Sequence, residues 1–382
     1  MMPNADASRA PEAFHNDAAP GASKASNAPK APKDDTVLID PARLKVFATR
    51  CLTRAGMQEA HAEVVADSLV FADLRKVSSH GIARLQIYIK RLQLGLVSPA
   101  PQIRIVAERG NVAIIDGGNG PGQVIAKAAM EQAMSIAGQR GIGACGVRNS
   151  NHCGALAYYS MMAIERDMIG IAMTNANPTM APWGGSTAML GTNPISMAVP
   201  AGEELPVVMD MATSAAARGK VILAAKEGKE IPLGWGINGQ GEPTTDPREA
   251  LKGALVPLGG AKGYALALMV DVLSGVLTGA HCGSHVGALY DNLVEPQGAG
   301  HFMCAVNISD FMEPAAFKAR MDQVIRELKM AKPARGVDRV YLPGEPEFMA
   351  ERERRQSGIP LDRAVFEELR ATGASVGVEI AL

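Results

Sequence analysis

The 382-residue chain has no excess of either charge: 38 Lys and Arg stand against 39 Asp and Glu, a net charge of −1. A basic surface for nucleic acid or a membrane is therefore not expected, although one locally positive pocket for a carboxylate or phosphate is compatible with that balance. Cysteine is sparse. The five thiols (Cys51, Cys145, Cys153, Cys282, Cys304) are odd in number, widely scattered and without paired ligand spacing. That pattern argues against a disulfide framework and fits a reducing cytoplasm. Long apolar runs are missing too, each being broken by Gly, Asn or a charge well short of a membrane span. Neither a G-x-S-x-G elbow nor a P-loop pattern occurs, so serine hydrolysis and phosphoryl transfer lack support. No repeat of fixed period is visible. Residues 1–35, rich in Ala, Pro, Asn, Ser and Asp with no continuous apolar stretch, read as a disordered tail rather than a secretory signal.

Order is expected from about Val37. Asp40-Pro41 combines a capping side chain with proline in the first turn, a strong helix start. Helices are expected from there to Gly56, over 58–75 and over 81–93, the last with Ser79 as its cap and His80 in its first turn. Strands are expected at 112–116, 142–147, 169–174, 195–199 and 207–209, with a helix to about 137 between the first two. Further helices are expected at 155–166, 213–226, 315–329 and 362–371, and one at 264–277 that is apolar nearly all round and so expected to be buried. The span 234–247 reads as a turn-rich loop.

Gly141-Ile-Gly143-Ala-Cys-Gly146 spells G-x-G-x-x-G, but it follows a helix and enters a strand. A dinucleotide fingerprint needs the reverse order, so these glycines are expected to end the helix and admit a close strand. The run Gly117–Gly122 lies between a strand and a helix; it could cradle a phosphate, but its Asn-Gly and Pro-Gly steps also make a plain turn, the favoured reading. His281 and His285 are four apart, yet no third ligand stands at a recognised spacing and Gly283 weakens a helix there, so no metal site is expected.

Four polar clusters are left. His80, Arg84 and Tyr88 recur every four residues, away from the apolar Ile82, Leu85, Ile89 and Leu92. Arg holds a carboxylate through two parallel hydrogen bonds and His moves a proton near neutral pH, so the set suits a 2-oxo acid. Taken alone, the helix favours a plainer reading, a solvated face with a capping Ser. Asn149-Ser-Asn-His152-Cys-Gly154 sits between a strand and a helix, where free N–H groups favour an anion and where Asn and Ser are also ordinary caps. Asp210, at a strand end, is either a cap or the orienter of a reacting or cofactor group. Lys220 follows, about two turns into the helix expected there; a lone Lys is usually solvated.

In order along the chain, Ser79-His80-Gly81 with Arg84 and Tyr88, Asn149–Gly154, Gly191-Thr192-Asn-Pro194, Asp210, Ala217-Arg-Gly-Lys220, Pro243–Pro247, Gly259–Gly263 and Leu342-Pro343-Gly344-Glu345 resemble the malate/L-lactate dehydrogenase family that is unrelated to the Rossmann-type enzymes of those names. The resemblance spans roughly residues 37–372. It implies a mixed α/β, non-Rossmann fold, with a largely antiparallel central sheet binding the dinucleotide and a helical domain built from both chain ends (36–110 and 306–382, around an α/β domain of 111–305). It also implies a homodimer and an NAD(P)-dependent oxidoreductase, NAD being favoured. Members act on malate, lactate, sulfolactate, ureidoglycolate, diketogulonate or a cyclic imine (piperideine-2-carboxylate). Carried over, His80 is the proton donor, Ser79 its relay partner, and Lys220 a relay position in some relatives. Arg84 and Thr192 contact the substrate, with Tyr88 beside them. His152, Cys153, Gly154, Ala155 and Leu156, then Asp210, Met211 and Ala212, and finally Leu342, Pro343, Gly344 and Glu345 line the cofactor. Cys153 departs from the aromatic residue more usual in that place. A ligand-binding protein without turnover on the same scaffold is the alternative from another class, and a metal hydrolase using His281 and His285 is a weaker one.

Overall fold

The computed structural model describes residues 35–380. The expected tail falls almost wholly outside them. Asp40 caps the helix Pro41–Arg54, its Oδ1 accepting the Arg43 N–H at 2.9 Å. That helix packs on Glu59–Leu74, and Leu44, Leu52, Val65 and Leu69 form the core between them. The strand Ile359–Asp362 pairs antiparallel with Thr36–Ile39, so the C-terminal part of the chain closes the same helical layer.

The centre is a seven-stranded sheet in the order Arg104–Arg109, Val112–Asp116, Ile142–Ser150, Ala299–Asn307, Met168–Thr174, Ile195–Val199, Val207–Met211. Every neighbouring pair is antiparallel except Val112–Asp116 with Ile142–Ser150. The long helix Gly122–Arg140 covers one face, its Ala129, Met130, Ala133 and Met134 packing on Cys145, Val147 and Met303. This is the mixed, largely antiparallel arrangement expected. Gly141 ends that helix at φ +81°, its N–H bonded to the Ala137 carbonyl at 2.8 Å, and Gly143 lets the next strand approach: a Cβ there would lie 2.1 Å from the Ala133 oxygen. The glycine motif is a helix stop and a packing contact, with no helix following it. Gly117–Gly122 is a turn filled by protein, for Asn151 Nδ2 donates to the Asn119 and Gly120 carbonyls.

Several expectations need correction. Residues 81–93 are not one helix: two 3₁₀ turns, Ser78–His80 and Ile82–Arg84, precede the α-helix Leu85–Gln93. Ser79 therefore caps nothing and His80 lies outside the α-helix, because the buried Asp73 carboxylate takes the Ile82 N–H at 2.6 Å and holds the chain in this tighter path. The helix expected from 213 begins at Arg218, since Thr213 and Ala215 donate their N–H groups to Thr192 and Val256 in neighbouring segments; Lys220 is thus in its first turn. The apolar helix Ala261–Asp271, continued as a π turn Val272–Val276, is buried on one face only: Ala267, Val270 and Ser274 are buried, while Met269, Val276 and Leu277 are 50%, 60% and 61% exposed. Among the described residues no group of three or more His, Cys, Asp or Glu could hold a metal; His285 is in a short 3₁₀ turn and His281 in a loop. All five cysteines are free thiols. No described helix is long and apolar enough to cross a membrane.

Candidate active site

The site begins at Asp73, near the end of the second helix. Its carboxylate lies so close under Gly81 that a Cβ on that glycine would come within 2.1 Å of Oδ1. Arg354, from the helix Glu345–Ser357, donates to the Asp73 carbonyl. Burial raises the Asp73 carboxyl to about 6, against the opposing pull of the Ile82 N–H and the Arg354 charge. This clamp presents Ser79 and His80 outward: Ser79 Oγ is 2.9 Å from His80 Nδ1, and Arg84 Nε donates to the Ser79 carbonyl at 2.7 Å. Nδ1 is thus engaged by the serine, and Nε2 has no partner among the described residues.

His152 lies beside it. The two imidazoles are stacked, centroids 5.4 Å apart and planes 13° from parallel. Tyr88 O–H and the Gly154 N–H both point at His152 Nδ1, at 2.7 and 3.3 Å, so Nδ1 accepts and the neutral ring carries its proton on Nε2. The His152 N–H itself donates to Gln297 Oε1 at 3.0 Å. Burial, with the Arg84 guanidinium nearby, pushes His80 down to about 4; His152 is driven well below the usual histidine range by burial first, then by Arg84 and His80. Both rings are neutral at pH 7. The Arg84 guanidinium lies 5.1 Å from the Tyr290 ring centroid, and its Nη groups meet no carboxylate among the described residues.

His80, Ser79, Arg84, Tyr88 and His152 are therefore brought together, though Tyr88 is buried and reaches the site through His152. The segment 217–220 comes alongside, a Cβ on Gly219 falling 3.7 Å from Ser79 Cβ, while the exposed Lys220 ammonium meets no partner among the described residues. Thr192 is tied by its carbonyl to the Thr213 N–H and hydroxyl and makes no hydrogen bond to Arg84.

The three segments expected at a cofactor also converge. Asp210 Oδ2 accepts the Ala157 N–H at 2.8 Å, which fixes Gly154–Leu156 beside the strand bearing Met211 and Ala212. Two residues before Asp210, the Val208 N–H bonds the Pro343 carbonyl at 2.9 Å, and Gly344, at φ +87°, lies so close that a Cβ would meet Val208 at 2.8 Å. Two side chains turn away: the Cys153 thiol and Leu156 pack into the sheet core. Their backbone is engaged as well: the Cys153 carbonyl accepts the Tyr159 O–H, and the Leu156 carbonyl accepts the Tyr159 and Ser160 N–H groups. Glu345 is also turned inward, pairing with Arg339 at 3.2 Å and accepting the Leu342 N–H.

Sequence reasoning missed Asp73, Asn193, Gln297 and His301. Asn193 is buried, its amide spanning Ala176 N–H and the Ala267 carbonyl. His301, in the central strand, is bracketed by Ser150 and Thr174 hydroxyls at 2.7 Å each. Helical or strand spacing signals none of them, because each works through a contact distant in sequence.

A sequence model of malate/L-lactate dehydrogenases matches residues 39–370. The chain is similar to the malate dehydrogenase of Pyrococcus horikoshii, with 41% identity over 356 residues, 91% of this chain and 97% of the relative. The chain belongs to the malate/L-lactate dehydrogenase family. It superposes on the solved sulfolactate dehydrogenase of Methanocaldococcus jannaschii with a TM-score of 0.85, at 39% identity and covering 90% of this chain and 98% of that one. Among relatives naming a cofactor are the ureidoglycolate dehydrogenase (NAD(+)) of Escherichia coli K12, 36% identical over 83% of this chain and 90% of the relative, and the (2R)-3-sulfolactate dehydrogenase (NADP(+)) of Chromohalobacter salexigens, 34% identical over 88% and 98%. The malate/L-lactate dehydrogenase family is one of NAD(P)-dependent 2-hydroxy acid dehydrogenases.

Proposed function

We propose that this enzyme interconverts a small 2-oxo acid and its 2-hydroxy acid, with His80 moving the proton at the C2 oxygen. One observation carries the reading: among the described residues, an imidazole whose Nδ1 is on Ser79 Oγ and whose Nε2 has no partner stands next to a guanidinium without a carboxylate. Arg84 binds the substrate carboxylate. That anion offsets the positive neighbour that depresses His80, so substrate binding itself raises the imidazole toward a value useful for proton transfer. Ser79 holds the ring through Nδ1, Tyr88 acts through His152, and Thr192 and Lys220 complete the pocket and the proton path. The converging segments 152–156, 210–212 and 342–345, with room over Gly154, fit an extended dinucleotide. A nicotinamide held there supplies the hydride, NAD being preferred to NADP.

A second reading has its own observation. His152 stacks on His80 and also has an unclaimed Nε2, so it is the other proton carrier the geometry allows. The exposed apolar residues Met269, Val276 and Leu277 suit a homodimer interface. The free thiols suit a cytoplasmic setting. The test is loss of reduced-nicotinamide absorbance, with NADH and NADPH, against oxaloacetate, pyruvate, sulfopyruvate and a cyclic imine acid. Turnover of oxo acids supports the reading, turnover of the imine alone supports the reductase alternative, and none with any substrate removes both.

A further inference from the structure

Arg91 is the side chain that the reaction does not use and the fold does not explain. It is 1% exposed, one of the largest fully buried side chains, on the helix Leu85–Gln93 about two turns beyond Arg84. Its hydrogen bonds go to carbonyl oxygens alone. Nη1 donates to Asn292 at 2.7 Å, to Leu289 at 3.2 Å and to Ala288 at 3.4 Å, and Nη2 to Glu295 at 3.1 Å. Burial without an opposing carboxylate lowers its pKa. A buried guanidinium held by backbone alone, its Nε without a partner among the described residues, is stable only while that backbone stays around it.

Those four carbonyls belong to one closed loop. Gly287 N–H bonds the Gln297 carbonyl at 2.8 Å and Gln297 Nε2 returns to the Gly287 carbonyl at 3.1 Å, which seals residues 287–297 at the base. The loop touches the site twice. Its Tyr290 ring faces the Arg84 guanidinium, and its Gln297 amide takes the His152 N–H. Its outer side, with Asp291, Asn292 and Glu295, forms a wall of a cavity of about 840 Å³ whose other wall includes Arg218 and His285.

We propose that Arg91 is a positioning residue for substrate selection: it holds the 287–297 loop where Tyr290 sets the Arg84 clamp and Gln297 sets His152. The role in selection rests on the oxo-acid reading of the site; the anchoring of the loop does not. Arg84 and the loop are then tied together, because the 3₁₀ turn that ends at Arg84 runs directly into the helix bearing Arg91. The outward residues of the loop are free to vary the pocket without disturbing the clamp.

The test compares Arg91→Met, Arg91→Lys and Tyr290→Ala with the unaltered enzyme. Arg91→Met is expected to raise KM for the preferred oxo acid about tenfold, the equivalent of one charge-assisted hydrogen bond, and to compress the ranking among oxo acids. The dissociation constant of the reduced nicotinamide should change less than KM, because of the 152–156 segment only His152 meets the loop. Arg91→Lys should recover part of the loss, and Tyr290→Ala, a surface change, should raise KM with kcat kept. Amide hydrogen exchange across 287–297 should quicken by roughly tenfold or more in Arg91→Met while the central sheet keeps its protection. If Arg91→Met does not fold, Arg91→Lys carries the same comparisons. Unaltered KM, ranking and loop exchange in a folded variant would overturn the proposal. If the unaltered enzyme reduces no oxo acid, the functional reading fails, while the exchange comparison still decides the anchoring.

Discussion

Replacing Gly81 by alanine isolates the contact on which the presentation of His80 depends. The backbone there is at φ −87° and ψ −157°, which alanine adopts without strain, so the effect is steric. The added Cβ would stand 2.1, 2.3 and 2.4 Å from Asp73 Oδ1, Cγ and Oδ2. Contact distances for such atoms exceed 3 Å, so either the carboxylate or the turn must shift by about 1 Å. A shift of the carboxylate breaks its 2.6 Å bond from the Ile82 N–H. Hydrogen bonds to charged groups contribute about 1.5–3 kcal/mol, and a buried N–H left without a partner adds to the loss, so destabilisation should be roughly 3 kcal/mol. A displacement of about 1 Å at a catalytic group costs on the order of 100-fold in turnover. Urea unfolding reads the first quantity and steady-state reduction of the preferred oxo acid the second. In an Asp73→Ala background the same substitution should cost far less, because the obstructing carboxylate is gone. A Gly81→Ala enzyme within about 0.5 kcal/mol of the original stability and with unaltered turnover would refute the clamp.

Arg84→Lys should raise KM for the oxo acid at least about tenfold with a smaller effect on kcat, since one ammonium cannot replace a bidentate fork; equal KM values would remove Arg84 from carboxylate binding. Burial holds folded His80 near 4, below its free value of 6.5, so the neutral base persists as pH falls. Oxidation of the hydroxy acid should therefore keep its kcat/KM to a limb well below pH 6.5, whereas reduction should gain as pH falls through that range; an oxidation limb at or above 6.5 contradicts the burial argument. Leu277→Glu, at an exposed apolar position, should convert a dimer to monomer in sedimentation. A single species of unaltered mass in both proteins would place any interface elsewhere.

Much of this was legible before any coordinates. Asp40-Pro41 wrote its own helix start, and the reversed context of Gly141–Gly146 separated a helix stop from a nucleotide loop. The spacing of His80, Arg84 and Tyr88 was visible, but the reason they face a common site was not. That reason is Asp73, nine residues from Ile82, together with an Arg354 more than 250 residues downstream, and local periodicity carries no trace of either. The strand Ala299–Asn307, central in the sheet, was missed because Gly300, His301 and Cys304 blur its alternation. The helix Ala261–Asp271 misled for a different reason: a composition that is apolar nearly all round carries no mark of which face stays exposed, and Met269 is 50% exposed.

The central claim is that His80 carries the proton, and the most direct measurement is single-turnover reduction of the preferred oxo acid by His80→Ala, with His152→Ala alongside. The account predicts that His80→Ala still binds the reduced nicotinamide and loses roughly two to four decades in rate, the range for a missing general acid, with the smaller loss in His152→Ala. A His80→Ala enzyme as fast as the original, with the large loss found instead in His152→Ala, would contradict it and give the proton to the neighbouring ring.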